Sequence, residues 1–165
     1  MFDDPLLMSA RDLIAAATAK SLKVATAESC TGGLITGLLT EVAGSSAVVD
    51  RGFVTYSNAA KTAVLGVPAD LIAADGAVSK GVAIAMVAGA LAHAEADIAV
   101  AVTGVAGPGG GSSQKPVGTA HIAAQRRDRE PVHRLQQYGD LGRSNVRRAT
   151  IIDALAIMRL LVDTA

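Results

Sequence analysis

Apolar residues along this chain alternate between two spacings, those of a helix face and those of short continuous runs. Residues 12–22 carry Leu13, Ile14 and Leu22 on an alanine-rich background, with Ser9 placed to cap, and predict a helix. The run 24–27 predicts a strand that stops at Glu28-Ser29, after which Thr31 and the pair Gly32-Gly33 open a helix over 34–39. Gly44-Ser-Ser46 breaks that pattern, and 48–57, with Phe53, Val54 and Tyr56, predicts a second strand. Asn58 caps a helix over 59–65 that Gly66 and Pro68 end, and 71–75 predicts a further short turn of helix. Residues 79–94, uncharged apart from Lys80, predict a helix buried on most of its circumference. The continuous run 98–103 follows as a strand. Stretches 118–124 and 132–138, joined by the charged turn 125–130, predict an antiparallel hairpin, and 143–162 predicts a closing amphipathic helix.

Continuous apolar strands alternating with helices indicate an α/β fold, with a sheet covered on both faces and usually parallel. No repeat and no linker of domain scale interrupts the 165 residues, so residues 1–165 are expected to form one domain. Half of the residues are hydrophobic but only 2% are aromatic, so the core must be built from Ala, Val, Ile and Leu. The 15 basic and 15 acidic residues cancel, which argues against a nucleic-acid-binding surface and against a polybasic membrane patch. Cys30 is the only cysteine, which excludes an internal disulfide and a multi-thiolate zinc site. His93, His121 and His133 have no ligand spacing, so no metal and no cofactor are expected. The acidic start Met1-Phe-Asp-Asp-Pro5 is unlike a signal peptide, and the uncharged run 81–92 is too short to span a bilayer; a cytoplasmic location is expected.

The candidate chemistry centres on Ala27-Glu-Ser-Cys-Thr-Gly-Gly33. The first N–H groups of a helix lack partners inside it, and with the helix dipole they favour an anion. A hydroxyl there has half of an acyl-transfer site beside it. Ser29 is the candidate nucleophile, with the N–H groups of Cys30, Thr31 and Gly32 as oxyanion donors. A helix cap made by Ser29 or Thr31 is the alternative reading. Cys30 could replace Ser29 as nucleophile, but no histidine is evident as its partner, and a buried structural thiol is the commoner fate. A serine needs a base, and a turn out of the second strand could bring Lys61 toward it. To work near neutrality, the lysine pKa must fall from near 10.4 by about three, roughly 4 kcal/mol of bias that aliphatic surroundings can supply. Otherwise Lys61 is a solvated surface residue and Tyr56 a packing tyrosine. Thr103 and the loop 104–116, with Gly104, Gly107, Gly109, Gly110 and Ser112, suggest a backbone cradle for phosphate or carboxylate, or simply a flexible connection. The loop is neither a Walker motif nor a dinucleotide fingerprint. Arg143 opens the last helix where acidic residues are favoured, so it answers either a phosphate or Asp140. Glu28 joins the substrate-binding candidates, with orientation of its neighbours and plain solvation as the other readings.

These segments, together with Gly52-Phe-Val-Thr-Tyr-Ser-Asn58, Gly76-Ala-Val-Ser79 and Lys115-Pro-Val-Gly118, occur in one order along nearly the whole chain. In that, the chain resembles the C-terminal domain of the competence/damage-inducible protein CinA, the nicotinamide-nucleotide amidase family. The resemblance implies a three-layer α/β/α sandwich with a mixed, mostly parallel sheet of five to six strands, and commonly a homodimer. It implies hydrolysis of the carboxamide of nicotinamide mononucleotide to nicotinate mononucleotide and ammonia, in pyridine-nucleotide salvage. Ser29 and Lys61 match the family's serine nucleophile and lysine, and Tyr56 matches its tyrosine, expected to hold or relay the proton. Family members often carry a larger N-terminal domain resembling molybdopterin-binding proteins; any activity of that part is expected to be absent here, and the amidase site complete. The competing readings are a non-catalytic nucleotide-binding or interaction module linked to competence or DNA damage, and an amidase acting on another amide.

Overall fold

The computed structural model describes residues 2–165. Helix α1 (Asp4–Ala19) begins eight residues before the apolar spacing predicts. Asp3 explains this, since its Oδ1 accepts the Leu6 N–H at 3.1 Å, and Pro5 sits in the first turn where its missing N–H costs nothing. Leu6, Ala10, Leu13, Ile14 and Ala17 then form one buried stripe. Ser9, expected as the cap, lies within the helix and donates to Pro5 O.

Strand β1 (Val24–Glu28) is buried at every residue and is flanked by β2 (Val49–Val54) and β3 (Ile98–Gly104), both parallel to it. Strands β4 (Thr119–Arg126) and β5 (Val132–Gln137) add the antiparallel hairpin, giving the order β2-β1-β3-β4-β5. The sheet is therefore mixed, with two parallel and two antiparallel pairings.

Helices α1, α2 (Leu34–Thr40) and α6 (Arg143–Asp163) cover one face. Helices α3 (Asn58–Leu65), α4 (Ala69–Asp75) and α5 (Lys80–Ala92) cover the other. Because side chains alternate along a strand, the two faces differ in size. Val24, Ile98, Val100, Val102 and Ile122 meet the first layer, whereas Ala25, Ala27, Ala99, Ala101 and Ala123 meet the second. The alanine face lets α5 lie close to the strands. At α5's far side, a Cβ on Gly89 would stand 2.0 Å from Leu65 O, so glycine is required where α3 crosses it. Among the described residues, no helix is long and apolar enough to cross a membrane.

The chain leaves β1 through α2 on one face to reach β2, and returns through α3 to α5 on the other face to reach β3. The carboxyl end of β1 is thus the point where the winding reverses, the place where open α/β sheets hold ligands.

Candidate active site

Ser29 follows β1 directly, and its N–H donates to Val102 O at 3.1 Å, extending the β1–β3 ladder by one residue. Its neighbour Glu28 points the other way, into the first helical layer. One Glu28 oxygen accepts the Thr31 hydroxyl (2.7 Å) and the N–H groups of Gly33 (3.0 Å) and Ile35 (3.1 Å). The other accepts the hydroxyls of Thr26 and Thr36 and the Thr36 N–H (2.8 Å). Glu28 is wholly buried, so the expectation that it contacts substrate is corrected: it caps α2 from within. The same bonds remove the α2 N-terminus as an anion site. Gly32, expected among the oxyanion donors, spends its N–H on Ser29 O at 3.1 Å. The Thr31 N–H has no acceptor among the described residues, and the Cys30 N–H has none there but its own thiol.

Lys61 arrives from α3. Ser57, rather than Asn58, caps that helix by accepting the Ala60 N–H at 3.0 Å, and its first turn carries Lys61 back under the strand end. Lys61 is 1% exposed, and its Nζ lies 2.9 Å from Ser29 Oγ, 2.8 Å from Thr55 O and 3.3 Å from Tyr56 O. No acidic side chain pairs with it among the described residues. Burial without a counter-charge pulls its pKa below the ordinary 10.5, opposed only by the neighbouring Cys30. A neutral amine has two N–H bonds and one lone pair. Carbonyl oxygens can only accept, so in the neutral form Thr55 and Tyr56 would take the two N–H groups and leave the lone pair for the Ser29 hydroxyl, whereas the charged form donates to all three.

A cavity of about 210 Å³ opens on this pair, lined by Ser29, Cys30 and Lys61 at its floor and by Tyr56, Asn58, Ala77, Val78, Thr103, Gly104, Ala106 and Arg143. Tyr56 is 62% exposed, and its hydroxyl accepts from Arg143 Nη2 at 3.1 Å and makes no hydrogen bond to Ser29 or Lys61. That geometry replaces the expected proton relay with a rim contact. Arg143 also donates to Gly107 O at 3.1 Å, which bridges the two walls. Thr103 is buried and gives its hydroxyl to Ala77 O at 2.8 Å. Of the glycine loop only Gly104 lines the cavity, while Gly107 acts through its carbonyl. Gly109, Gly110 and Ser112 lie outside the lining, so the expected cradle is corrected. The loop needs glycine for its own folding: Gly107 has φ +80°, and a Cβ there would meet Val117 at 2.6 Å.

Asn58, Ala77, Val78 and Ala106 were not singled out as ligand-facing in the sequence. Three of the four are apolar, and nothing in their chemistry marks them. Cys30 is buried with Ala106 and Val146, and burial raises its thiol to about 11, which takes it out of contention as nucleophile. No cluster of metal-ligating side chains occurs among the described residues.

Residues 8–162 match the profile of the CinA C-terminal domain. A CinA-like protein of Anaeromyxobacter dehalogenans is 51% identical over 149 residues, covering 90% of this chain and 36% of that protein. One from Mycobacterium sp. (strain JLS) is 53% identical over 137 residues, covering 82% and 32%. The chain thus spans about a third of the length of these relatives. Among solved structures, the competence/damage inducible protein CihA from Agrobacterium tumefaciens superposes with a TM-score of 0.96 at 50% identity, over 99% of this chain and 98% of that one. A CinA superfamily protein from Klebsiella pneumoniae gives 0.91 at 32% identity, over 97% and 99%.

Proposed function

Since this chain belongs to the CinA C-terminal domain family, we propose that it is an amidase that hydrolyses the carboxamide of nicotinamide mononucleotide to nicotinate mononucleotide and ammonia. The observation that carries the reading is the 2.9 Å contact between the buried Lys61 amine, which has no acidic partner among the described residues, and the Ser29 hydroxyl at the end of β1. The substrate is taken from the family resemblance, and the reaction type from the Ser29–Lys61 pair.

In this reading the neutral Lys61 amine takes the Ser29 proton as Oγ attacks the amide carbon. The negative charge that develops on the carbonyl oxygen is met by the N–H of Cys30, which lines the cavity, whereas Thr31 is buried outside that lining. Collapse of that intermediate breaks the C–N bond, and Lys61 returns its proton to the departing nitrogen, which leaves as ammonia. Lys61 then takes a proton from water, whose oxygen attacks the acyl carbon, and Ser29 recovers its proton as the acid is released. Thr55 O and Tyr56 O hold the amine in place through both halves. Arg143, at the rim beside the Tyr56 hydroxyl, meets the substrate's phosphate.

Purified protein incubated with nicotinamide mononucleotide and assayed for ammonia tests the proposal. Turnover is expected in the wild type and should fall to background in Ser29→Ala and Lys61→Met. Full activity in either variant would remove the mechanism.

A further inference from the structure

Arg147 lies one turn beyond Arg143 on α6 and behaves differently from both neighbouring arginines. Arg143 reaches the cavity, and Arg148 pairs with Asp3. Arg147 has no carboxylate partner among the described residues, and its buried Nε has no acceptor. Holding a guanidinium in this half-buried place without a counter-charge is costly, and a neutral donor would serve as well if the task were only to tie α6 to the neighbouring turn.

Its one side-chain hydrogen bond among the described residues identifies a different task. Arg147 Nη2 donates to Thr31 O at 2.9 Å. That carbonyl belongs to the same peptide group as the Gly32 N–H, which donates to Ser29 O at 3.1 Å. The Ser29 carbonyl in turn belongs to the same peptide group as the Cys30 N–H, which lies next to the nucleophile and is taken by no main-chain carbonyl among the described residues. Donation to an amide oxygen polarises the whole amide and makes its N–H a stronger donor, so bonds in series reinforce one another. Gly32 has φ +62°, a left-handed conformation that favours glycine at this turn.

We infer that Arg147 is a positioning residue for the acyl-transfer site, whose charge is carried through the Thr31–Gly32 and Ser29–Cys30 peptide groups to strengthen the Cys30 N–H as an oxyanion donor. The inference rests on Ser29 being the nucleophile proposed above and is independent of which amide is the substrate.

The test uses a small alkyl fluorophosphonate as a probe of Ser29. Oγ forms a bond to phosphorus as the P–F bond breaks; the serine proton passes to Lys61, fluoride leaves, and the tetrahedral adduct places an oxygen where the oxyanion would sit. Rates are read by intact-protein mass for wild type, Arg147→Met and Arg147→Lys, and the Cys30 amide proton is followed by nitrogen-15 NMR. Arg147→Met is expected to react about tenfold more slowly, less than the loss caused by deleting an oxyanion donor outright, with the Cys30 amide proton moving upfield. Arg147→Lys should recover part of the rate. Reaction of Arg147→Met at the wild-type rate, an unmoved Cys30 amide, or a lysine variant no faster than the methionine one would each overturn the inference. Failure of the functional reading looks different. A wild-type protein that is labelled at Ser29 but releases no ammonia from nicotinamide mononucleotide loses the substrate and leaves the relay to be judged by the variants. A wild-type Ser29 that does not react with the probe overturns both.

Discussion

Glu28 Oε1 accepts two hydrogen bonds from Thr36, from its main-chain N–H at 2.8 Å and its hydroxyl at 3.0 Å. Each Glu28 oxygen faces at least one N–H that can only donate, so an amide in place of the carboxylate would set its own N–H groups against donors on one side. Glu28→Gln is therefore expected to destabilise the fold by about 2–4 kcal/mol, the range for disrupting a buried charged network. Urea unfolding measures this, and a change under about 0.5 kcal/mol would contradict the role. Ser29 is the next residue, so amidase activity should fall in the same variant.

That residue also marks where the sequence could and could not be read. Apolar runs and spacing, with turn and cap residues, located the five strands and six α-helices, though not the 3-10 turn Ser45–Ala47, where Gly44-Ser-Ser46 reads as a break. The helix ends moved where a side chain supplied a cap that composition does not reveal, as at Asp3 and Ser57. Ser29 could be picked out by its place between a strand and a glycine pair, whereas Lys61 was set apart from a solvated surface lysine only by the family resemblance. Glu28 could have been read more closely. Thr26 and Glu28 are two apart on a strand and so share a face, the face on which the open N-terminus of α2 needs acceptors. The acceptors of Lys61 are main-chain carbonyls of Thr55 and Tyr56, and no side-chain chemistry advertises those. The glycine loop misled for a related reason, since glycine marks close approach without saying whether a ligand or Val117 is approached.

Cys30 adjoins the nucleophile yet is expected to be chemically silent. With its pKa raised to about 11 by burial, only on the order of one thiol in a thousand is ionised near pH 8. Iodoacetamide should leave the native protein unlabelled while labelling it readily in denaturant. Cys30→Ala should lose less than about threefold in kcat/KM, because the Cys30 contribution to the proposed site is its N–H. Rapid alkylation of the folded protein would place the thiol elsewhere.

The imidazoles of His121 and His133 meet across the β4–β5 hairpin, Nδ1 to Nε2 at 3.0 Å, with ring centroids 5.2 Å apart. Burial, then the charge of His133 and that of Lys115, lowers His121 from 6.5 to about 4; burial and Lys80 lower His133. Lowered folded values mean that the unfolded chain binds more protons between about pH 4 and 6.5. The stability contribution is therefore complete above 6.5 and is lost as the pH falls toward 4. Thermal unfolding is expected to show Tm dropping over that window, with a shallower drop in His121→Gln. Equal slopes for the two proteins would assign the acid sensitivity to other groups.

Lys61 should leave its own signature in both activity and stability. Its folded pKa lies below 10.5, so between the lowered value and 10.5 the native state carries fewer protons than the unfolded chain. Unfolding then takes up a proton, and the stability contributed at this site rises with pH through that window. The Tm of wild type minus that of Lys61→Met should accordingly grow as buffers run from about pH 7 to about pH 10, because methionine has nothing to titrate. The same deprotonation prepares the base, so kcat/KM should climb with pH to a plateau whose midpoint falls below 10.5. Lys61→Arg keeps the positive charge at every accessible pH and is expected to lose at least about a thousandfold in kcat/KM, comparable with removal of the base. A midpoint at the ordinary lysine value, together with a pH-independent Tm difference, would mean that Lys61 stays charged in the folded protein and cannot accept the Ser29 proton.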